Sequence, residues 1–206
     1  DEANTFIRDL RSDLAENPDY GALVGGEAAE RVDQLDANTH DVTLVVSLVI
    51  ILVFLVLLVL LRSLVAPFLL VASVLLTFFA ASGLSWLLFE NVLGFPALDT
   101  LTLLYSFLFL VALGVDYNIF LVTRARENAA TMGTRKGMLA ALRSTGGVIT
   151  SAGILLAAVF VVLGVLPLVT LTQVGITVAI GVLFDTLIVR TVIVPALVFV
   201  LGDKFW

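Results

Sequence analysis

The sequence has 206 residues, a formal net charge of −6, 60% apolar residues and a mean hydropathy of +1.13; helices apolar all the way round do not fit one soluble core of this size, so lipid is where they go. Cysteine is absent and His40 is the single histidine, which excludes disulfides, thiolate nucleophiles and a multi-histidine metal site within the chain. Residues 1–41 carry 11 acidic and 3 basic residues, residues 42–206 carry 6 and 8, and an acidic non-membrane part argues against nucleic acid as a partner.

The chain opens on Asp1 with no signal peptide ahead of it, so it reads as a piece of something longer or as a processed form. In residues 1–40, Phe6, Ile7, Leu10 and Leu14 recur at helical spacing. Ala22–Val24 suits one short strand, and Gly26–Asn38 a helix with Val32 and Leu35 on one side. Forty residues do not make an independent domain, so this segment reads as the end of a larger extracytoplasmic domain. His40, at the membrane edge, reads as a solvated side chain.

Residues 41–206 read as a transmembrane domain of an all-α membrane protein. A span needs roughly 20 mostly apolar residues, and five stretches qualify: 42–61, 66–88, 101–122, 148–166 and 171–200. Arg62–Val65 links the first pair, and Glu90–Asp99, with Gly94 and Pro96 as breakers, links the second and third. The polar stretch 124–143, with an apolar stripe through Met132, Met138, Leu139 and Leu142, reads as a helix on the cytoplasmic membrane surface. Gly164–Pro167 turns the fourth span into the fifth, and Thr170-Leu171-Thr172-Gln173 reads as a capping box. Lys and Arg bias places Arg62, Arg124, Arg126, Arg135, Lys136, Arg143 and Lys204 inside the cell and residues 1–40 outside. Trp86 and Trp206 stand near span ends, where aromatic belts occur.

Asp116 is the first candidate for function. A carboxylate well inside a span costs about 2.5–3.5 kcal/mol on insertion scales, a cost borne for function or for a necessary pairing. A carboxyl within a span can load a proton on one face and release it on the other; the plainer reading is a hydrogen bond between helices. Tyr117 is turned about 100° from it on the helix, so the partner of its phenol is expected on another helix. Asp185, a second carboxylate in a span, shares a face with Thr177 and Gly181, and small residues there let another helix come close. Gly146, Thr150 and Gly153, with Gly147 and Ser151 beside them, form a similar edge on the fourth span. The economical reading is a polar seam among spans three, four and five, in which Asp185, Thr150, Ser151 and Thr177 are relay or structural groups. Arg190 follows Asp185 by five residues, a poor angle for pairing on an α-helix, and is expected to reach the headgroups instead. No serine has a base beside it, so no hydrolase is expected, and no cofactor or metal is called for.

The run Leu113-Gly114-Val115-Asp116-Tyr117-Asn118-Ile119-Phe120-Leu121-Val122, followed by Arg124 and Arg126-Glu127, closely resembles the MMPL family of the resistance-nodulation-division (RND) superfamily. So do Leu61–Pro67, Thr145–Gly153, Gln173–Gly175, Gly181–Thr191 and Gly25–Ala28. The resemblance implies the C-terminal membrane half of a twelve-helix transporter, with the five spans as helices 8 to 12 and residues 1–40 as the end of the second porter domain. It further implies that Asp116 and Tyr117 are the helix-10 members of two Asp-Tyr pairs that relay protons, the other pair lying on the N-terminal half. The expected function is proton-driven export of a lipid or other hydrophobic compound across the bacterial inner membrane, with no bond chemistry. Its partners are the bilayer, the N-terminal half, the substrate and protons. A non-transporting RND-fold scaffold or sensor, or a protein-export accessory of the SecD/SecF kind, fits the hydropathy as well but the Gly-Val-Asp-Tyr-Asn run less well.

Overall fold

A computed structural model describes residues 2–16, 21–95 and 97–206. Pro96, read above as a breaker, lies outside them. The described residues are mostly helical and contain no strand: α1 (Glu2–Glu16), α2 (Glu27–Leu61), α3 (Val65–Leu88), α4 (Thr100–Met132), α5 (Thr134–Leu163), α6 (Val169–Phe184) and α7 (Val194–Leu201). A π-helical turn, Phe89–Leu93, ends α3, and a longer one, Asp185–Ile193, joins α6 to α7. The chain divides into two compact units, Asp1–Ser47 and Leu48–Trp206.

In the first unit Ile7 of α1 is buried with Ala29 and Val32 of α2, and Val24 packs against them. Arg11 binds Asp33, and Arg8 binds Asp36, across the same two helices. Ala22–Val24 is not a strand; it is irregular chain leading to Gly26. The stretch read as a helix ending near Asn38 instead runs without a break through the first span, as one helix of 35 residues. Nothing between Asn38 and Val42 breaks it, since neither Gly nor Pro is present there.

The second unit is a helical membrane bundle. Among the described residues five helices are long and apolar enough to span a bilayer, so the chain is a multi-pass membrane protein. Exposed side chains such as Val59, Phe79, Val162 and Val200 are the lipid-compatible surface such a protein needs. Two apolar clusters hold the interior. One joins Leu57, Leu70, Leu121, Met138 and Val198, and the other joins Ala81, Leu110, Ala157, Phe160 and Val178.

The stretch 124–143 is not a separate surface helix. Residues 124–132 continue α4 and residues 134–143 open α5, with Gly133 between them at φ +82°. Only glycine takes that backbone readily, so one residue turns one long helix into the next. A Cβ on Gly137 would stand 2.6 Å from the backbone nitrogen of Ala129, which shows how closely the two arms approach.

The capping box is also not formed. α6 begins at Val169 without a side-chain cap. Thr170 donates to the Asp99 carboxylate (3.0 Å). Gln173, fully buried, accepts from the Asp99 backbone N–H (3.1 Å) and the Thr102 hydroxyl (3.0 Å) and donates to the Ala97 carbonyl (2.9 Å). Asp99 itself caps α4 by accepting from the Leu101 N–H. These side chains tie the start of α6 to the start of α4 because a buried polar group needs partners wherever they are available.

Candidate functional site

Asp185 and Arg190 form an ion pair whose side chains are only 7% and 2% exposed. On an α-helix, residues five apart point about 140° from each other. A π-helical turn closes its hydrogen bonds from i to i+5 and so brings them to one side. The Asp185–Ile193 segment is such a turn, which is why Arg190 is buried on Asp185 and does not reach for headgroups.

Three other helices close around the pair. Thr77 of α3 donates to the Asp185 carboxylate at 3.4 Å. The Arg190 guanidinium lies over the Tyr117 ring of α4, 4.8 Å from its centre, a cation–π arrangement. Tyr117 makes this contact with its ring face and not with the phenol, whose partner the sequence places on another helix. Gly153 of α5 lies against Thr186, with no room for a Cβ between them. Arg190 Nε and Nη1 are buried without a hydrogen-bond acceptor among the described residues, so the pair satisfies the cation only in part.

Asp116 is not part of this cluster. It is exposed on the surface of the unit and makes no hydrogen bond or ion pair among the described residues. It stands in a stripe with Tyr105, Phe109, Ala112 and Phe120, all exposed and three or four residues apart on α4. Such a stripe is one face of a helix.

The face of Thr177, Gly181 and Asp185 is buried against other spans. A Cβ on Gly181 would come within 2.5 Å of Leu110 Cδ2 and 3.1 Å of Ala81 Cβ. The seam on α5 is displaced from the edge read in the sequence: it runs through Thr145, Ile149, Gly153 and Ala157. Thr150 is half-buried beside it. Ser151 is exposed and donates to the Val148 carbonyl of its own helix. Thr77, Thr186 and the pairing of Arg190 escaped the sequence reading. Arg190 was the one legible signal, a cation inside an apolar run.

The fold and this centre define a polytopic membrane protein with ionisable groups buried between its spans. The chain belongs to the MMPL family, whose sequence model matches residues 1–206. A Streptomyces coelicolor protein described as a membrane protein is 52% identical over 206 residues, 100% of this chain and 29% of its own length. The apo-petrobactin exporter of Bacillus anthracis is 46% identical over 184 residues, covering 89% of this chain and 25% of that protein. The sulfolipid-1 exporter of Mycobacterium tuberculosis is 39% identical over 174 residues, covering 84% and 16%. The chain thus spans less than a third of the length of these relatives.

Proposed function

We propose that this chain is the C-terminal membrane part of a transporter that uses proton influx to export a hydrophobic or lipid compound across the bacterial inner membrane. In this reading residues 1–40 lie outside the cytoplasm as the end of a porter domain. Residues 41–206 supply helices 8 to 12, and the partner is the N-terminal half of the same protein. Membership of a family that includes exporters supports transport. The positions of Lys and Arg support the orientation.

The carrying observation is the placement of Asp116. A carboxylate facing lipid at mid-span is costly, yet Asp116 is exposed amid the apolar stripe of α4. That face is therefore the one the other half covers, where a partner for the carboxylate stands. Asp116 carries the proton. Tyr117, next to it, contacts Arg190 and so links Asp116 to the Asp185–Arg190 pair. Protonating either carboxylate weakens its contacts, and two arrangements of the same groups are what coupling needs.

The test is Asp116→Asn in the full-length parent, which keeps the shape but carries no proton. Vesicles with an imposed pH gradient should lose export while the protein still folds. Export at the normal rate would make Asp116 structural and remove the mechanism.

A further inference from the structure

Three helices meet at Gly181, and their register can be followed turn by turn. Gly181 of α6 faces Leu110 of α4 and Ala81 of α3. One turn toward the cytoplasmic side in the proposed orientation stand Asp185, Gly114 and Thr77, and Thr77 indeed binds Asp185. Two turns the other way stand Gln173 and Thr102, which are hydrogen-bonded. The level between Gly181 and Gln173 is fixed from both sides for α4 and α6, and from Ala81 and Thr77 for α3. Four residues along each helix, it holds Thr177, Ser106 and Ser85.

All three carry hydroxyls, all three residues are no more than 1% exposed, and all three hydroxyl oxygens lack a hydrogen-bond partner among the described residues. Lone orphaned hydroxyls occur in native proteins, but each calls for an explanation. Three on one level, from three different helices, have a common one. A buried water typically makes about three hydrogen bonds to such groups.

We infer that Ser85, Ser106 and Thr177 hold a buried water that forms the outer arm of the proton route to Asp185. The inference rests on the proton-driven reading above. The site lies two helical turns, about 11 Å, from Asp185. It is closed on both sides. Outward, Gln173 is held by Thr102, Asp99 and Ala97. Inward, the Leu110 side chain fills the notch left by Gly181. Below Leu110 a small gap lined by Leu113, Gly114, Tyr117, Val182, Asp185 and Thr186 opens on the carboxylate. When Leu110 swings aside, further waters entering the freed space join this water to the gap beside Asp185, a proton passes along that chain to the carboxylate, and the water regains one from the outer side as the hydrogen bonds of Gln173 open. The carboxyl so formed no longer holds Arg190 by charge, which passes the event to Tyr117. Leu110 is thus the inner gate, and the three hydroxyls position the water.

The experiment uses the full-length parent in vesicles loaded with a pH-sensitive dye, with a proton gradient imposed. Leu110→Ala should raise proton uptake several-fold, and adding Ser106→Ala and Thr177→Val should return it to the wild-type rate. Uptake by Leu110→Ala no faster than wild type, or unchanged by the added substitutions, overturns the proposal. A structure of the parent that resolves waters is independent of transport and of any variant's folding. It should show density among the three hydroxyls, and empty density there overturns the proposal too. If Asp116→Asn exports normally while the water and the gated leak are present, the proton-driven reading fails and the water site stands. If Asp116→Asn is dead and the leak and density are absent, only the route fails.

Discussion

Replacing Arg190 with methionine removes the cation and leaves Asp185 in place. With its partner gone, the carboxylate keeps only the Thr77 hydroxyl at 3.4 Å, in a site where its side chain is 7% exposed. Removing one member of a buried pair costs about 3–5 kcal/mol, because the other charge is left uncompensated. Methionine also loses the contact with the Tyr117 ring, worth about 0.5–2 kcal/mol where desolvated. The double variant Asp185→Asn, Arg190→Met has no uncompensated charge and fills a similar volume. It should recover most of the loss, since apolar or neutral replacement of a whole buried pair is often neutral. Thermal unfolding in detergent of the full-length parent, with both single variants and the double, completes the cycle. If Arg190→Met is as stable as the parent, or the double is as unstable as the single, the pair does not hold this site and the π-helical register has another cause.

Helix approach gives a second outcome: Gly175→Ala places a Cβ 2.6 Å from the Gly164 nitrogen and the Phe160 carbonyl, both backbone, whereas Gly147→Ala meets nothing within 4 Å. The first should destabilise the protein by about 1–3 kcal/mol and the second should raise helix stability slightly; equal melting temperatures would refute the packing. In the first unit, the hydrogen bond from Arg11 holds the Asp33 carboxyl below its usual value, against a smaller desolvation, and the charge of Arg11 adds to the lowering. The contact of α1 with α2 should therefore be fully supported above about pH 4 and weaken as pH falls through the depressed value. Spin-label distances between the two helices should widen in acid in the wild type and show no such step in Asp33→Asn. For orientation, an impermeant thiol reagent on intact cells should label Asn91→Cys and spare Glu127→Cys; the reverse pattern would invert the proposed topology.

The five spans were legible because the cost of exposing backbone and apolar side chains in lipid is summed residue by residue along the chain. Asp116, Asp185 and Arg190 were visible for the same reason, as ionisable groups where such groups are expensive. The small-residue face of Thr177, Gly181 and Asp185 could be read from helical spacing, and it does contact other spans.

Partners and register were decided by the tertiary structure. Periodicity assumes an α-helix, so it placed Arg190 away from Asp185; the π-helical turn that joins them has no local signature in the sequence. Gln173 looked like a cap because capping is a local pattern, yet its amide satisfies groups more than 70 residues away. The stretch 124–143 was polar enough to read as a surface helix, and one glycine at positive φ made it two arms of a hairpin. Ser85 and Ser106 carried no signal alone; only the crossing of α3, α4 and α6 sets them level with Thr177. Local free energies of burial sum along a sequence, whereas a hydrogen bond or ion pair between helices depends on how two backbones are rotated and shifted against each other, and packing sets that.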